Sequence, residues 1–320
     1  MSLKNDILAK LRETGGYVSG ESLAKDFGKS RAAVWKAVNA LRSEGYPVEA
    51  HTKMGYRLTE NADVLNTDEI LRFCEPKIKV FYFDSIDSTN NYAKKLIAEG
   101  ETSAFLVVAA RQTAGRGRQG KAFYSPAGTG IYMSLVTHPG EPLQNAVSAT
   151  TAAAVAVAEA AEELTGRKTG IKWVNDVLME NRKISGILTE AAINVESGTL
   201  DYAILGIGLN AYVPDGGFPD EISGIAGAIF DERKSGQRAR LAALVLEKFF
   251  GYYEKIGSHD CLDAYRKRCI VPGREITVIS ADGSKPATAL EIDENYRLRV
   301  AYPDKSQEFL SSGEISIKLL

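Results

Sequence analysis

The sequence predicts an α+β chain in three parts: a small helical unit closed by a hairpin, a central mixed α/β domain, and a small C-terminal β-barrel. Three patterns carry that expectation. Residues 1–60 hold three short helical stretches, separated by glycine breaks and followed by two brief extended pieces. The middle of the chain mixes strand-like and helical runs, with several strands in direct succession. The tail is a series of short strands divided by glycine, aspartate and proline turns. The matching boundaries are 1–62, 67–268 and 270–320, with Thr59–Asp68 as a polar linker.

Within the first part, Leu3, Ile7, Leu8 and Leu11 recur at helical spacing. After a Gly-Gly break comes a short helix around Glu21–Phe27. Beyond Gly28, Ser30 is placed to cap a third helix, Arg31–Arg42, that stops before Gly45. Val34, Val38 and Leu41 form its inner face; Arg31, Ala32, Trp35, Lys36 and Asn39 fall outside it. Tyr46–His51 and Gly55–Leu58 flank Lys53 as a wing. This layout is a winged helix-turn-helix, whose second motif helix enters the DNA major groove. The candidate DNA contacts are therefore Arg31, Ala32, Trp35, Lys36, Asn39 and Lys53, with Arg42 and Arg57 where further phosphate contacts belong. Trp35 is unusual among base-reading residues. It either meets a thymine methyl or packs on a neighbouring element.

From about Lys77 to Val213 the strand-like runs are KIKVFYF, FLVVAA, GIYMSLV, GIKWV, ISGILTEAAI and DYAILGIGL. Two helical runs, TNNYAKKLIAE and QNAVSATTAAAVAVAEAAEEL, interrupt them. This order favours an α+β sheet with helices on one face over a doubly wound parallel sheet. A helical region over Gln237–Arg268 precedes the tail.

Composition narrows the function. With 39 Lys and Arg against 41 Asp and Glu, the net charge is −2, so any nucleic-acid contact is local. Cys74, Cys261 and Cys269 lack metal-ligand spacing and suit a reducing cytoplasm. The N-terminus has charges where a signal peptide has an apolar core, and Ala146–Ala161 is too rich in alanine and polar residues for a membrane span. Three histidines offer no triad or metal cluster.

The most informative stretch is Arg111–Ser125, RQTAGRGRQGKAFYS, directly after the apolar run Phe105–Ala110. Its glycines bring backbone N–H groups close to a ligand, and its guanidinium groups bind phosphate or carboxylate oxygens in pairs. Gly115-x-Gly117-x-x-Gly120 satisfies a dinucleotide pattern, but Pro126 and Gly128 follow where a helix should start. Gly115-x-x-x-x-Gly120-Lys121 resembles a P-loop, but Ala122 lacks the magnesium-binding hydroxyl. Taken alone, the stretch is either an anion-binding loop or a basic surface loop. Ser88-Thr89-Asn90 reads as a helix cap, Asp176 as a turn residue, Lys183 as a surface lysine and Trp173 as core.

Taken together, these motifs resemble one family. DSTN (Asp87–Asn90), RQTAGRGRQG, KWVND (Lys172–Asp176), RKISGILTE (Arg182–Glu190), GIGLN (Gly206–Asn210) and GEIS (Gly313–Ser316) stand in the order found in bacterial bifunctional biotin–protein ligases that also repress the biotin operon. The resemblance covers essentially the whole chain. It implies a class II synthetase-like catalytic domain, an SH3-like terminal barrel, and cytoplasmic use of ATP, Mg2+ and biotin. It implies that biotinyl-5′-AMP forms and passes biotin to a lysine of a carboxylase's biotin carboxyl carrier domain. Operator DNA and a homodimer are the further partners implied. By the resemblance, Arg118, Lys183 and Lys172 are catalytic. Biotin falls to Ser88, Thr89, Asn90, Gln112, Arg116, Gly117, Arg118 and Lys183. The nucleotide falls to Arg118, Lys121, Phe123, Asn175, Asp176 and Asn210, with Asp176 also toward Mg2+. The chain departs from the family at Phe123, where tryptophan is usual, and at Val174, where proline is usual. Two alternatives stand beside this: a ligase whose DNA-binding domain is not a repressor, and a related lipoate-type acyl–protein ligase.

Overall fold

The computed structural model describes residues 2–59, 62–74, 78–138, 145–194, 199–255, 259–280, 283–311 and 314–317. Linker residues 60–61 and Gly313 of the GEIS motif lie outside these. The chain forms two compact units: Met1–Leu65 with Glu232–Ala239, and Asn66–Asp231 with Arg240–Leu320. No described helix is long and apolar enough to cross a membrane.

The N-terminal unit contains α1 (Leu3–Thr14), α2 (Gly20–Asp26), α3 (Arg31–Ser43) and a hairpin of β1 (Val48–His51) and β2 (Gly55–Leu58). Three serines start the three helices. Ser2, Ser19 and Ser30 each accept the N–H three residues on, a cap worth about 1 kcal/mol. Ile7, Leu11, Leu23, Val34, Val38 and Leu41 are fully buried in one core. Val18 and Tyr56 exchange two backbone hydrogen bonds of 2.8 Å, which join the wing to the turn before α2. Gly55 is required there, since at φ 102 a Cβ would lie 2.1 Å from the Val18 carbonyl oxygen. The last feature of this unit is a buried ion pair. Arg238 Nε and backbone N–H both donate to the Asp63 carboxylate, at 2.8 and 3.0 Å.

The second unit opens with α4 (Thr67–Phe73) and then builds a seven-stranded sheet. In chain order its elements are β3 (Lys79–Phe83), α5 (Thr89–Ala98), β4 (Phe105–Ala109), β5 (Gly130–Thr137), α6 (Asn145–Thr165), β6 (Thr169–Lys172), β7 (Asp176–Met179), β8 (Arg182–Asn194) and β9 (Thr199–Asn210). The strand order is β3-β4-β5-β9-β8-β7-β6. Only β3 and β4 run parallel, joined by the crossover helix α5; every other pair is antiparallel. After the sheet come α7 (Asp220–Ser223), α8 (Gln237–Tyr253) and α9 (His259–Arg268). The chain closes with β10 (Glu275–Ser280), β11 (Gly283–Ile292), β12 (Leu298–Ala301), β13 (Gln307–Leu310) and β14 (Glu314–Ile317). These last five strands form the small SH3-like domain, in the order β13-β12-β11-β10-β14.

One expectation changes here. The helices do not share one face of the sheet. Thr189 of β8 bonds Thr150 of α6, while its neighbour Glu190 bonds Asn90 of α5. Successive strand side chains point to opposite faces, so α5 and α6 cover opposite sides. Every residue of β4 and β5 is buried, and β4 reads as an unbroken apolar run.

Candidate functional site

The α5 face of the sheet is hollowed by glycine. Gly186 of β8 and Gly208 of β9 are register partners, and Gly206 lies two residues from Gly208 on the same face. A Cβ on Gly208 would sit 2.4 Å from the Phe123 ring, and one on Gly206 would sit 2.5 Å from Asn90 Oδ1. The missing side chains admit those two groups to the sheet. Above this floor lies a cavity of about 510 Å³. The start of α5, the cationic loop, the 172–176 turn and the 218–226 segment wall it.

The cavity draws together every biotin and nucleotide residue named from the sequence. Ser88, Thr89, Asn90 and Gln112 line it at the head of α5. The simple capping role assigned to Ser88 is not what occurs: it holds the N-cap position without a side-chain cap bond. Gln112 caps instead. Its Oε1 accepts from the Thr89 N–H at 2.9 Å and from the Thr89 hydroxyl at 3.1 Å. Its Nε2 in turn donates to Ser125 at 3.1 Å, so both ends of this amide are fixed by neighbours.

The loop folds back on itself. Gly117 N–H donates to Lys121 at 2.7 Å and Phe123 N–H donates to Gly115 at 2.9 Å. The reversal runs through two left-handed residues, Gln119 at φ 54 and Gly120 at φ 73. No α-helix starts in it, which disposes of the dinucleotide motif. Gly115 is needed for closure, because a Cβ would come within 2.6 Å of the Phe123 carbonyl oxygen and of Ser125 Oγ. The same cavity receives Arg116, Gly117, Arg118, Lys121 and Phe123 from this loop.

Opposite the loop stand Lys172, Asn175, Asp176, Lys183 and Asn210. Arg118 donates to Asn175 Oδ1 at 3.0 Å, and Asn175 donates onward to the Ile187 carbonyl at 2.7 Å. Lys183 pairs with Asp176 at 2.7 Å. Among the described lining residues there are five cations, Arg116, Arg118, Lys121, Lys172 and Lys183, and one carboxylate, Asp176. Such a cavity favours a polyanion. Trp173 is buried, as expected, with its indole N–H on the Tyr296 carbonyl at 2.9 Å.

Magnesium passes a chemical test here. No group of three or more acidic, cysteine or histidine residues gathers among the described residues. Mg2+ seldom needs one, since it is commonly held by one or two carboxylates together with substrate phosphates. Asp176 supplies one such carboxylate.

Sequence reasoning missed two groups of residues. Phe218, Pro219, Ile222 and Ile225 form an apolar wall around the single-turn helix α7, too short to show a periodicity. Glu190 and Asn91 bind the loop, with Asn91 Oδ1 2.6 Å and Glu190 Oε2 3.5 Å from Arg116 Nη2. Burial pushes the Glu190 carboxyl upward, but hydrogen bonds from Lys94 and Asn90 and the charges of Lys94 and Arg116 outweigh it, holding the pKa below 4.5.

The DNA-contact candidates lie on the N-terminal unit. Arg31, Ala32, Trp35, Lys36 and Lys53 are exposed and Asn39 is half-buried. Trp35 is 60 % exposed on α3. Arg42 and Arg57 are tied up within the unit, Arg42 on the Val48 carbonyl at 2.8 Å and Arg57 on Glu49 at 2.7 Å.

Comparison with known proteins agrees with this geometry. Residues 82–210 match the biotin/lipoate A/B protein ligase family, and residues 4–57 match an HTH domain. The bifunctional ligase/repressor BirA of Bacillus subtilis is 36% identical over 248 residues, which cover 76% of this chain and 75% of that protein. The chain belongs to the bifunctional ligase/repressor family. Its Escherichia coli relative, also a bifunctional ligase/repressor, is 33% identical over 63% of this chain and 62% of its own. A solved biotin protein ligase from Aquifex aeolicus, in complex with biotin and ATP, has the same fold. Its TM-score is 0.61 at 24% identity, covering 75% of this chain and 98% of that one.

Proposed function

We propose that this chain activates biotin with ATP and attaches it to a lysine of a biotin carboxyl carrier domain, and that the activated intermediate turns it into a repressor of biotin genes. The single observation that carries the reading is the cavity with five cations and one carboxylate, floored by glycines and walled by the Ser88–Asn90 and Gln112 amide–hydroxyl cluster. The chain is a ligase. In the first step a biotin carboxylate oxygen attacks the α-phosphorus of ATP and pyrophosphate leaves. In the second, an acceptor lysine amine attacks the carbonyl of biotinyl-5′-AMP and AMP leaves.

Both first-step reactants are anions, and negative charge grows on phosphoryl oxygens as they meet. Arg118, Lys172 and Lys183 are assigned to stabilise that charge, and losing one aligned donor costs about 100- to 1,000-fold in kcat. Thr89, Asn90 and Gln112 suit the ureido end of biotin, which needs both donors and acceptors. Arg116 and Lys183 suit its carboxylate. Lys121, Phe123, Asn175 and Asn210 suit the nucleotide. Asp176 would hold a magnesium ion that screens the phosphates. The loop Arg111–Ser125 would retain the adenylate, linking catalysis to repression.

Repression calls for a homodimer, since two-fold operators have half-sites roughly 34–36 Å apart per helical turn. Three free cysteines suit work in a reducing compartment such as the cytoplasm. Pyrophosphate release on mixing the protein with biotin and MgATP tests the chemistry. Release is expected with biotin and not with lipoate; release with lipoate alone would make this a lipoate-type ligase.

A further inference from the structure

Three segments far apart in the chain meet at one carboxylate, and a fourth joins them through Asn90. Glu190 Oε1 accepts from Lys94 Nζ at 2.7 Å and Oε2 accepts from Asn90 Nδ2 at 2.8 Å, both from α5. Oε2 also lies 3.5 Å from Arg116 Nη2 of the loop. Through Asn90 the network reaches β5, where the Ser134 hydroxyl donates to Asn90 Oδ1 at 2.5 Å. Ser134 is fully buried, Asn90 is buried, and Glu190 has a side chain only 26% exposed.

This arrangement fixes which way Asn90 points. An ionised carboxylate only accepts hydrogen bonds, so Asn90 must turn its nitrogen to Glu190 and its oxygen to Ser134. Gly206, having no Cβ, gives the Asn90 amide room against the sheet. Asn90 therefore enters the cavity with a fixed polarity and one N–H still to give. The same carboxylate helps hold Arg116 at the root of the loop.

We infer that Glu190 is a positioning residue for biotin: it sets the polarity of Asn90 and anchors the cationic loop through Arg116. This rests on the reading of the cavity as a biotin site. Glutamine at 190 would present either an oxygen or an NH2 group to Asn90, so the amide loses its fixed orientation. The charge that holds Lys94 and Arg116 goes with it.

The test uses the full chain with Glu190→Gln and Glu190→Ala. Calorimetry gives biotin affinity without ATP, and steady-state pyrophosphate release gives the two KM values. Both variants should bind biotin about tenfold or more weakly, with KM for ATP within about twofold of the parent. In the unliganded variants, trypsin should cut faster after Arg116, Arg118 or Lys121, as mapped by mass spectrometry. If Glu190→Ala does not fold, by circular dichroism, Glu190→Gln carries the same comparison. Biotin affinity unchanged in a folded variant, or equal losses for biotin and ATP, would overturn the inference. A parent chain that binds biotin but releases no pyrophosphate, with affinity still dependent on Glu190, would uphold it while removing the ligase reading. A parent that binds no biotin would remove both.

Discussion

The finest control over the site lies in glycines of the sheet. Gly206 admits Asn90 and Gly208 admits Phe123, so adding a methyl group at either acts directly on a cavity-lining side chain. Gly206→Ala should raise KM for biotin about tenfold, equivalent to ~1.4 kcal/mol, with a much smaller effect on KM for ATP. Equal KM values for variant and parent would show that Asn90 does not serve biotin. Arg118 invites a different test. It bridges the loop to Asn175 across the cavity, so Arg118→Gly should open the clamp without emptying the pocket. Released adenylate would then label lysines on bystander proteins; labelling confined to the carrier domain would contradict a retaining role for the loop. Much of this site was legible because Ser88–Asn90, Gln112, the loop and Lys172–Asp176 lie in contiguous motifs. Glu190 was not, although it ends one of those motifs. Its partners are 74 to 100 positions away in sequence, and a glutamate on a strand looks like a solvated charge until the sheet brings them together.

At the level of elements, α6 is tied to both α9 and the following strand by one carboxylate. Glu162 accepts from Arg268 Nη2 at 2.8 Å and from the Thr169 N–H and hydroxyl at 3.1 and 2.8 Å. Burial raises its pKa, but the Arg268 and Thr169 bonds lower it more, leaving it below 4.5. A carboxyl depressed on folding adds stability above its ordinary value of 4.5, and that stability is lost as pH falls through the lower folded value. Denaturation midpoints measured from pH 7 downward should therefore fall more steeply in the parent than in Glu162→Gln. Parallel curves would contradict this. In the N-terminal unit, Asp63 and Arg238 bury an ion pair with side chains 3% and 7% exposed. Removing one partner strands the other, so Arg238→Ala should destabilise that unit by about 3–5 kcal/mol, read by chemical denaturation. A loss under 1 kcal/mol would mean the Asp63 side chain finds water. The Ser30 cap of α3 and the turn-divided strands of the tail were readable from local chemistry. The placement of α5 and α6 on opposite faces was not, since an unbroken apolar strand such as Phe105–Ala109 reports two covered faces without saying what covers them. Residues 232–239, which join the N-terminal unit from far downstream in the chain, left no local signal either.

At the scale of the whole molecule, the proposed function would have ligation and repression share one intermediate and one loop. Biotin and MgATP together should convert the protein to a dimer, while either ligand alone does much less. Sedimentation showing an unchanged monomer with both ligands would contradict that coupling. Trp35 and Trp173 make a convenient pair of reporters, because the first is exposed on α3 and the second is buried. Operator DNA should alter the Trp35 fluorescence and leave that of Trp173 unchanged, as compared in Trp35→Phe. The most direct test of the central claim is binding of the purified protein to DNA upstream of its own biotin genes, with and without biotin and MgATP. Binding should tighten strongly only when both ligands are present. Binding that ignores the ligands, or no binding by protein that demonstrably ligates biotin, would contradict it.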